Sequence, residues 1–233
     1  MKLEKITREV KPIQRRTYED ACATAHGLDL VGERWALLVI RELMFGAKRF
    51  SDLREGLPAI SANVLTQRLE GLELAGIVLK KKLPPPAAVQ VYELTEWGYE
   101  AEPVFQALGR WASRSPFHNA GLPFSAASLM LSLRTMIDAG QAGDIRAKIG
   151  FRLGDETFTV QIADGRLDVK RAELDEANVI FTGSPEAIAG VIYGGQPLAV
   201  LEDAGILKVE GDHNLGARFV TLFPLPEKVR PRN

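Results

Sequence analysis

The stretch "SANVLTQRLEGLELAGIVLKKK" (residues 61–82) constrains this chain more than any other. Leu65, Leu69 and Leu72 fall at i, i+4 and i+7, while Asn63, Thr66, Gln67 and Glu70 recur on another face at i, i+3, i+4 and i+7. One side of a helix is thus built to bury and the other to meet something polar. Ser61 is an N-cap whose hydroxyl can satisfy an orphan amide, and Gly76 is the residue type expected where the chain turns left-handed after the last turn. The spacing predicts a helix over about residues 62–75, running directly into a strand with three consecutive lysines. A core element has no use for that ending. The exposed amide, hydroxyl and guanidinium groups of Asn63, Thr66, Gln67 and Arg68 are the types that pair with base edges and phosphates in a major groove. On an isolated helix the same face would simply be solvated.

The preceding segment "RWALLVIRELMFGAKRFSDLREGLP" predicts a long apolar helix, a turn at Gly46, and a short helix N-capped by Ser51 with Leu53 and Leu57 inward. Two helices, a tight turn and a third helix make a helix-turn-helix. In "GIVLKKKLPPPAAVQVYEL" two β-prone runs flank Pro84, Pro85 and Pro86, which predicts a hairpin with a stiff, exposed tip. Lys80, Lys81 and Lys82 lie on its leading strand, where side chains alternate, so at most two of the three share a face. At such a wing a lysine run is placed to touch phosphates.

These pieces resemble the HxlR-type winged helix-turn-helix regulators, relatives of the MarR group, over about residues 20–114. The matching parts are the early Cys22, "GERWALLVIREL", "RFSDLREGLPAIS", the "LTQRL" recognition helix, "L…AG.V" and "Y.LTE.G". The resemblance implies a dimeric bacterial transcription factor whose third helix enters the major groove of double-stranded operator DNA. Its implied DNA-contacting residues are Ser51, Ser61, Asn63, Thr66, Gln67, Arg68, Lys80, Lys81 and Lys82. At "AAVQVYEL" the chain departs from the family, which commonly has an arginine near the second wing strand.

Charge is distributed in keeping with this. Residues 1–120 hold 17 Lys and Arg against 15 Asp and Glu, and residues 121–233 hold 12 against 15, so the slight basic excess belongs to the winged-helix half. Six of those cations lie in the first sixteen residues, which read as a basic arm (1–18) or a solvated tail. No apolar run reaches the roughly 20 residues of a membrane span, and the N-terminus lacks a signal-peptide core. A cytoplasmic protein without membrane insertion is expected.

From Thr95, a candidate N-cap, "LTEWGYEAEPVFQALGRWAS" continues with Trp97, Ala101, Val104, Leu108 and Trp111 on one stripe, with Pro103 bending the helix or marking its first turns. On the residues alone, core packing and packing between subunits are equally open. The resemblance places the family's dimer helix here, which implies Trp97, Val104, Leu108 and Trp111 as interface residues. The winged-helix and dimerisation domain then spans residues 19–115.

Beyond "SRSPFHNAGLPFS", a Pro, Gly and Ser-rich boundary, the periodicity changes. Ser125–Ala139 reads as a helix, Ile145–Leu153 and Phe158–Ile162 alternate as strands, and Leu167–Val169, "NVIFTG" and "ILKVEGD" add more. Ser184-Pro185-Glu186 starts a helix, and Leu215, Phe219, Leu222 and Phe223 mark the last one. The fold class is α+β: a winged helix followed by an antiparallel sheet covered by helices on one face. Residues 122–226, with a tail at 227–233, resemble the sterol carrier protein type fold through the "dG.l.v" turn, "VIFTGSPEAI", "YGGQP" and "G.LKVEGD". That resemblance implies a fatty acyl, sterol or other apolar ligand held between sheet and helices by Met130, Leu133, Ile137, Phe151, Phe158, Ile188, Ile192, Leu207 and Phe219. For any single one of these, plain core is the reading favoured.

Catalytic chemistry finds no support. His26, His118 and His213 are scattered, and no HExxH, Cys/His metal spacing, Walker loop or GxGxxG occurs. No enzyme activity and no cofactor are expected. Cys22, the single cysteine, reads as a small buried hydrophobe rather than as an oxidant sensor. The expected function is a ligand-responsive, homodimeric DNA-binding regulator. The alternatives are a lipid carrier whose winged helix binds protein, and a regulator whose second domain only supports assembly.

Overall fold

The computed structural model describes residues 17–230; almost all of the expected basic arm and the last residues of the tail lie outside them. The first half is helical, with α1 (Ala23–Val31), α2 (Ala36–Leu43), α3 (Phe50–Gly56) and α4 (Ala62–Leu74). A two-stranded wing, β1 (Val78–Lys82) and β2 (Gln90–Leu94), follows, then α5 (Glu96–Tyr99) and α6 (Glu102–Ala112). The second half contains α7 (Ala126–Met136), α8 (Ala139–Ala142), β3 (Ala147–Leu153), β4 (Glu156–Ala163), β5 (Arg166–Arg171) and β6 (Val179–Gly183). It closes with α9 (Pro185–Ile192), α10 (Leu198–Asp203), β7 (Leu207–Gly211) and α11 (His213–Phe219).

Local chemistry sets most boundaries. Ser61 accepts the Val64 amide at 3.3 Å, and Gly76 takes φ +73° just past α4. Ser184 caps α9, whose first residue is Pro185. Two expectations are corrected. Ser51 is not the cap of α3: that helix begins at Phe50, and Asp52 reaches back to the Arg49 amide at 3.0 Å, while Ser51 bonds Asp52 inside the first turn. The helix expected from Thr95 to Trp111 is two helices, because Pro103, in the first turn of α6, has no amide hydrogen to give the Tyr99 carbonyl one turn back and so interrupts the helical ladder. Thr95 does cap α5, accepting the Gly98 amide at 3.0 Å.

The five strands of the second half are ordered β5-β4-β3-β6-β7. The α+β class holds, but the sheet is mixed: β6 runs parallel to β3, and the other three pairings are antiparallel. Parallel pairing arises because the chain leaves edge strand β5 and crosses to the far side of β3 through residues 172–178. It passes over Gly150, where a Cβ would stand 3.0 Å from Ile180 Cγ1 of β6 and 3.3 Å from Ala177 Cβ of the crossing, so a side chain there would press on both.

Ile149, Phe151 and Leu153 of β3 and Phe158, Val160 and Ile162 of β4 form a buried inner face. Nine residues of α7 are buried, since this helix packs on β5, α9, α2 and α6 together. Core side chains therefore run without interruption from the winged helix into the sheet. Polar ties reinforce the joint. Arg134 bonds Glu102 at 2.6 Å and the Val169 carbonyl at 2.9 Å, and Arg110 bonds the Thr135 carbonyl. After α11 the chain returns to α6, where Lys228 Nζ donates to the carbonyls of Ser113 (2.8 Å) and Ser115 (3.0 Å).

Candidate nucleic-acid interface

Leu65, Leu69 and Leu72 bury α4 against the winged-helix core, and this fixes which side chains face outward. Asn63, Thr66 and Gln67 are exposed together on that outer face, and Thr66 also bonds back to the Ala62 carbonyl at 3.0 Å. Ser61 and Ser51 are exposed at the starts of α4 and α3. Arg68 is directed elsewhere. Its Nε donates to the Arg34 carbonyl at 2.9 Å and its guanidinium meets Glu33 at 3.1 Å, so it braces the turn between α1 and α2 in which Trp35 adopts a left-handed φ of 80°. A groove of about 690 Å³ lies along this brace, lined by Tyr18, Leu28, Arg34, Gln67 and Arg68.

The wing carries its lysines as strand alternation requires. Lys80 pairs opposite Tyr92, with its ammonium 5.9 Å from the ring centroid, and Lys82 pairs opposite Gln90 on the same face. Lys81 points to the other face and meets Glu93 at 2.5 Å. Among the described residues, Lys80 and Lys82 thus meet no carboxylate, whereas Lys81 is paired with Glu93.

A face of α6 away from Phe105 is apolar and open, with Val104 56%, Leu108 41% and Trp111 73% exposed, and Trp97 of the preceding α5 is 50% exposed. In α1 no residue is fully buried, Leu28 is 46% exposed, and Leu30 and Val31 pack partly against the core. Cys22, just before α1, is exposed, which overturns the reading of a buried hydrophobe. The Thr24 and Ala25 amides, followed by the Thr24 hydroxyl, hold its thiol below the ordinary cysteine range.

In the second half, Met130, Leu133, Phe151, Phe158, Ile188, Leu207 and Phe219 are buried and Ile137 and Ile192 half-buried, all in the layer between sheet and helices. They pack against one another: Phe151 stacks on Phe181 at 5.5 Å, Phe219 tilts against both at 5.8 Å, and Phe223 closes the row 5.0 Å from Phe219. Sequence reasoning missed the second groove, of about 840 Å³, between α3 and the β3–β4 turn, and the buried charges Glu42 and Lys48 near it. Nothing in the pattern around "RELMFGAKRF" announces them, because their partners are remote in sequence. Among the described residues, no group of three or more His, Cys, Asp or Glu could hold a metal ion, and no helix is long and apolar enough to cross a membrane.

Known proteins divide the chain in the same way. The HxlR-like helix-turn-helix family model matches residues 30–118, and that of the SCP-2 sterol transfer family matches residues 132–224. The HTH-type transcriptional regulator YodB of Bacillus subtilis is 41% identical over 85 residues, which are 36% of this chain and 76% of that protein. A second regulator of that organism, YvaP, is 34% identical over 86 residues, 37% of this chain and 80% of its own length. Among solved structures, the reduced form of YodB has 36% sequence identity and a TM-score of 0.38, covering 44% of this chain and 100% of that one. The buried stripe and outward polar face of α4, the lysine-bearing wing, the family models and the two sequence relatives lead to one conclusion: the chain belongs to the HxlR-like helix-turn-helix family of transcriptional regulators and carries, after its winged helix, a domain of the SCP-2 sterol transfer family.

Proposed function

We propose that this regulator acts as a homodimer that reads operator DNA with α4, grips phosphates with the wing, and responds to an apolar ligand in its second domain. The observation that carries the reading is the outward set Asn63, Thr66 and Gln67, held by the buried stripe Leu65, Leu69 and Leu72 and flanked by Lys80 and Lys82. Bidentate amides suit base edges and free ammonium groups suit phosphates. Winged helices of this kind read half-sites in pairs, and the open apolar face of α6, with the exposed Trp97 of α5, supplies a surface for the second copy. Because α6 also packs on α7, the dimer helix and the ligand domain share a boundary.

The ligand part of this reading is supported by the SCP-2 match at residues 132–224. A fatty acyl chain or a sterol entering there has to part Phe219 and Phe223 from the Phe151–Phe181 stack. It regulates only to the extent that it favours one arrangement of the winged helix over another. The closeness of that aromatic row favours a second reading, in which the domain serves assembly alone. A gel shift with a duplex selected by the protein from a random pool, repeated with palmitate, palmitoyl-CoA and cholesterol, tests both. Selective binding altered by one of these compounds supports the first reading; selective binding indifferent to all of them supports the second.

A further inference from the structure

We infer that Glu156, a residue of the second domain, is a positioning residue for the DNA-binding wing and acts through Lys48. Lys48 is only 4% exposed and stands between three parts of the molecule. Its backbone amide and carbonyl pair with those of Tyr92 in the wing strand β2, at 3.0 and 2.8 Å. Its ammonium meets Glu42 of α2 at 3.2 Å and Glu156 at the start of β4, also at 3.2 Å. Glu42 is wholly buried and is further held by Arg41 at 2.8 Å and by the Ser125 hydroxyl, which caps α7, at 2.6 Å. Arg171 of β5 holds Glu156 from the other side.

A buried ammonium keeps its place only while carboxylates surround it, because desolvation penalises an uncompensated charge heavily. Lys48 has two such carboxylates, and one comes from the second domain. Withdrawing Glu156 leaves Lys48 to Glu42 alone and favours movement of the ammonium toward water. Its backbone must follow, and that backbone is the bridge to Tyr92, opposite Lys80 in the wing. The same shift reaches α3, whose N-cap is the next residue, Arg49. The angle between wing and recognition helix therefore depends on a carboxylate 108 residues downstream of Lys48.

This inference rests on α4 and the wing being the DNA-contacting elements, and the test separates the two. The full-length wild-type chain is first titrated with a duplex that it has selected from a random pool and with a scrambled duplex; equal affinity for both would remove the underlying reading. If the wild type discriminates, Glu156→Gln is expected to weaken the selected duplex by about tenfold, the size of losing one charge-assisted bond, without weakening the scrambled one. Simple electrostatics predicts the opposite sign, since the substitution removes a negative charge from a DNA-binding protein. Glu210→Gln, which makes the same charge change on the edge strand β7, is expected to leave the preference unaltered. If Glu156→Gln does not fold, Glu156→Asp, which keeps the charge but shortens the side chain and draws the carboxylate away from Lys48, carries the same test with an expected loss of about threefold. Unchanged or tighter binding of the selected duplex by the folded variant, with an unaltered preference, overturns the inference.

Discussion

Phe45, two residues beyond the end of α2, stands edge-on to Phe158 of β4, with ring centroids 5.9 Å apart and an interplanar angle of 85°. Arg134 lies 5.1 Å over the first ring and Arg171 5.4 Å over the second. A residue of the winged helix thus covers the inner face of the sheet, and cation–π contacts hold both rings. The two halves have separate family matches but one core, and the relation between them is fixed by side chains rather than by the linker.

Phe45→Ala opens a void at this joint, and loss of a buried aromatic of this kind costs about 3 to 5 kcal/mol. All three tryptophans, Trp35, Trp97 and Trp111, lie in the first half, so their fluorescence reports the winged helix while far-UV circular dichroism also reports the sheet. In urea the two signals are expected to change together in the wild type and to move together to lower denaturant in the variant. Separate midpoints in the wild type would mean that the halves unfold independently.

Trp111→Ala is expected to leave the folded monomer nearly as stable as before, because that side chain is 73% exposed within one chain. Its effect should fall on association. A central aromatic in an interface contributes about 2 kcal/mol or more, so the dimer should dissociate at markedly higher protein concentration in sedimentation equilibrium. A variant that associates as tightly as the wild type would place the dimer contact elsewhere.

Cys22 should behave as an activated thiol. Its folded-state pKa is lowered, so more thiolate is present at neutral pH than in a free cysteine, and alkylation by iodoacetamide should be faster than that of glutathione at pH 7. The advantage comes first from the Thr24 and Ala25 amides, so Thr24→Val, which removes only the hydroxyl contribution, should slow alkylation slightly. Lowering the pH through the depressed pKa removes the thiolate and the reactivity with it. A rate equal to that of glutathione across the range would contradict the assignment.

Elements whose causes are local were legible in the sequence. The limits of α4 follow from Ser61, the 65/69/72 stripe and Gly76, all within one short window, and the caps at Thr95 and Ser184 are equally short-range. Ser51 is a capping residue type and reads as the start of α3, but backbone geometry places the N-cap at Arg49, whose amide Asp52 accepts. The parallel pairing of β6 with β3 was hidden because the crossing at residues 172–178 carries no helix to signal it. Nothing in the sequence marks Glu42 and Lys48 as buried. Their burial depends on Ser125 and Glu156, 83 and 108 residues away, and periodicity carries no information over that separation. Arg68 was placed on the correct helix, but its engagement by Glu33 and the Arg34 carbonyl depends on how α1 meets α2.

Operator titration of single substitutions across a range of salt concentrations tests the central claim most directly. Gln67→Ala should cost about 1 to 3 kcal/mol on the selected duplex, relax preference at one base position, and leave the salt dependence unchanged. Lys82→Ala, which removes a wing ammonium that has no carboxylate partner among the described residues, should weaken selected and scrambled duplexes alike and reduce the salt slope by about one. Lys81→Ala should do less, because Glu93 already neutralises that lysine. Equal losses from Gln67→Ala and Lys82→Ala on both duplexes, with no change in base preference or salt slope, would contradict the assignment of α4 to bases and the wing to phosphates.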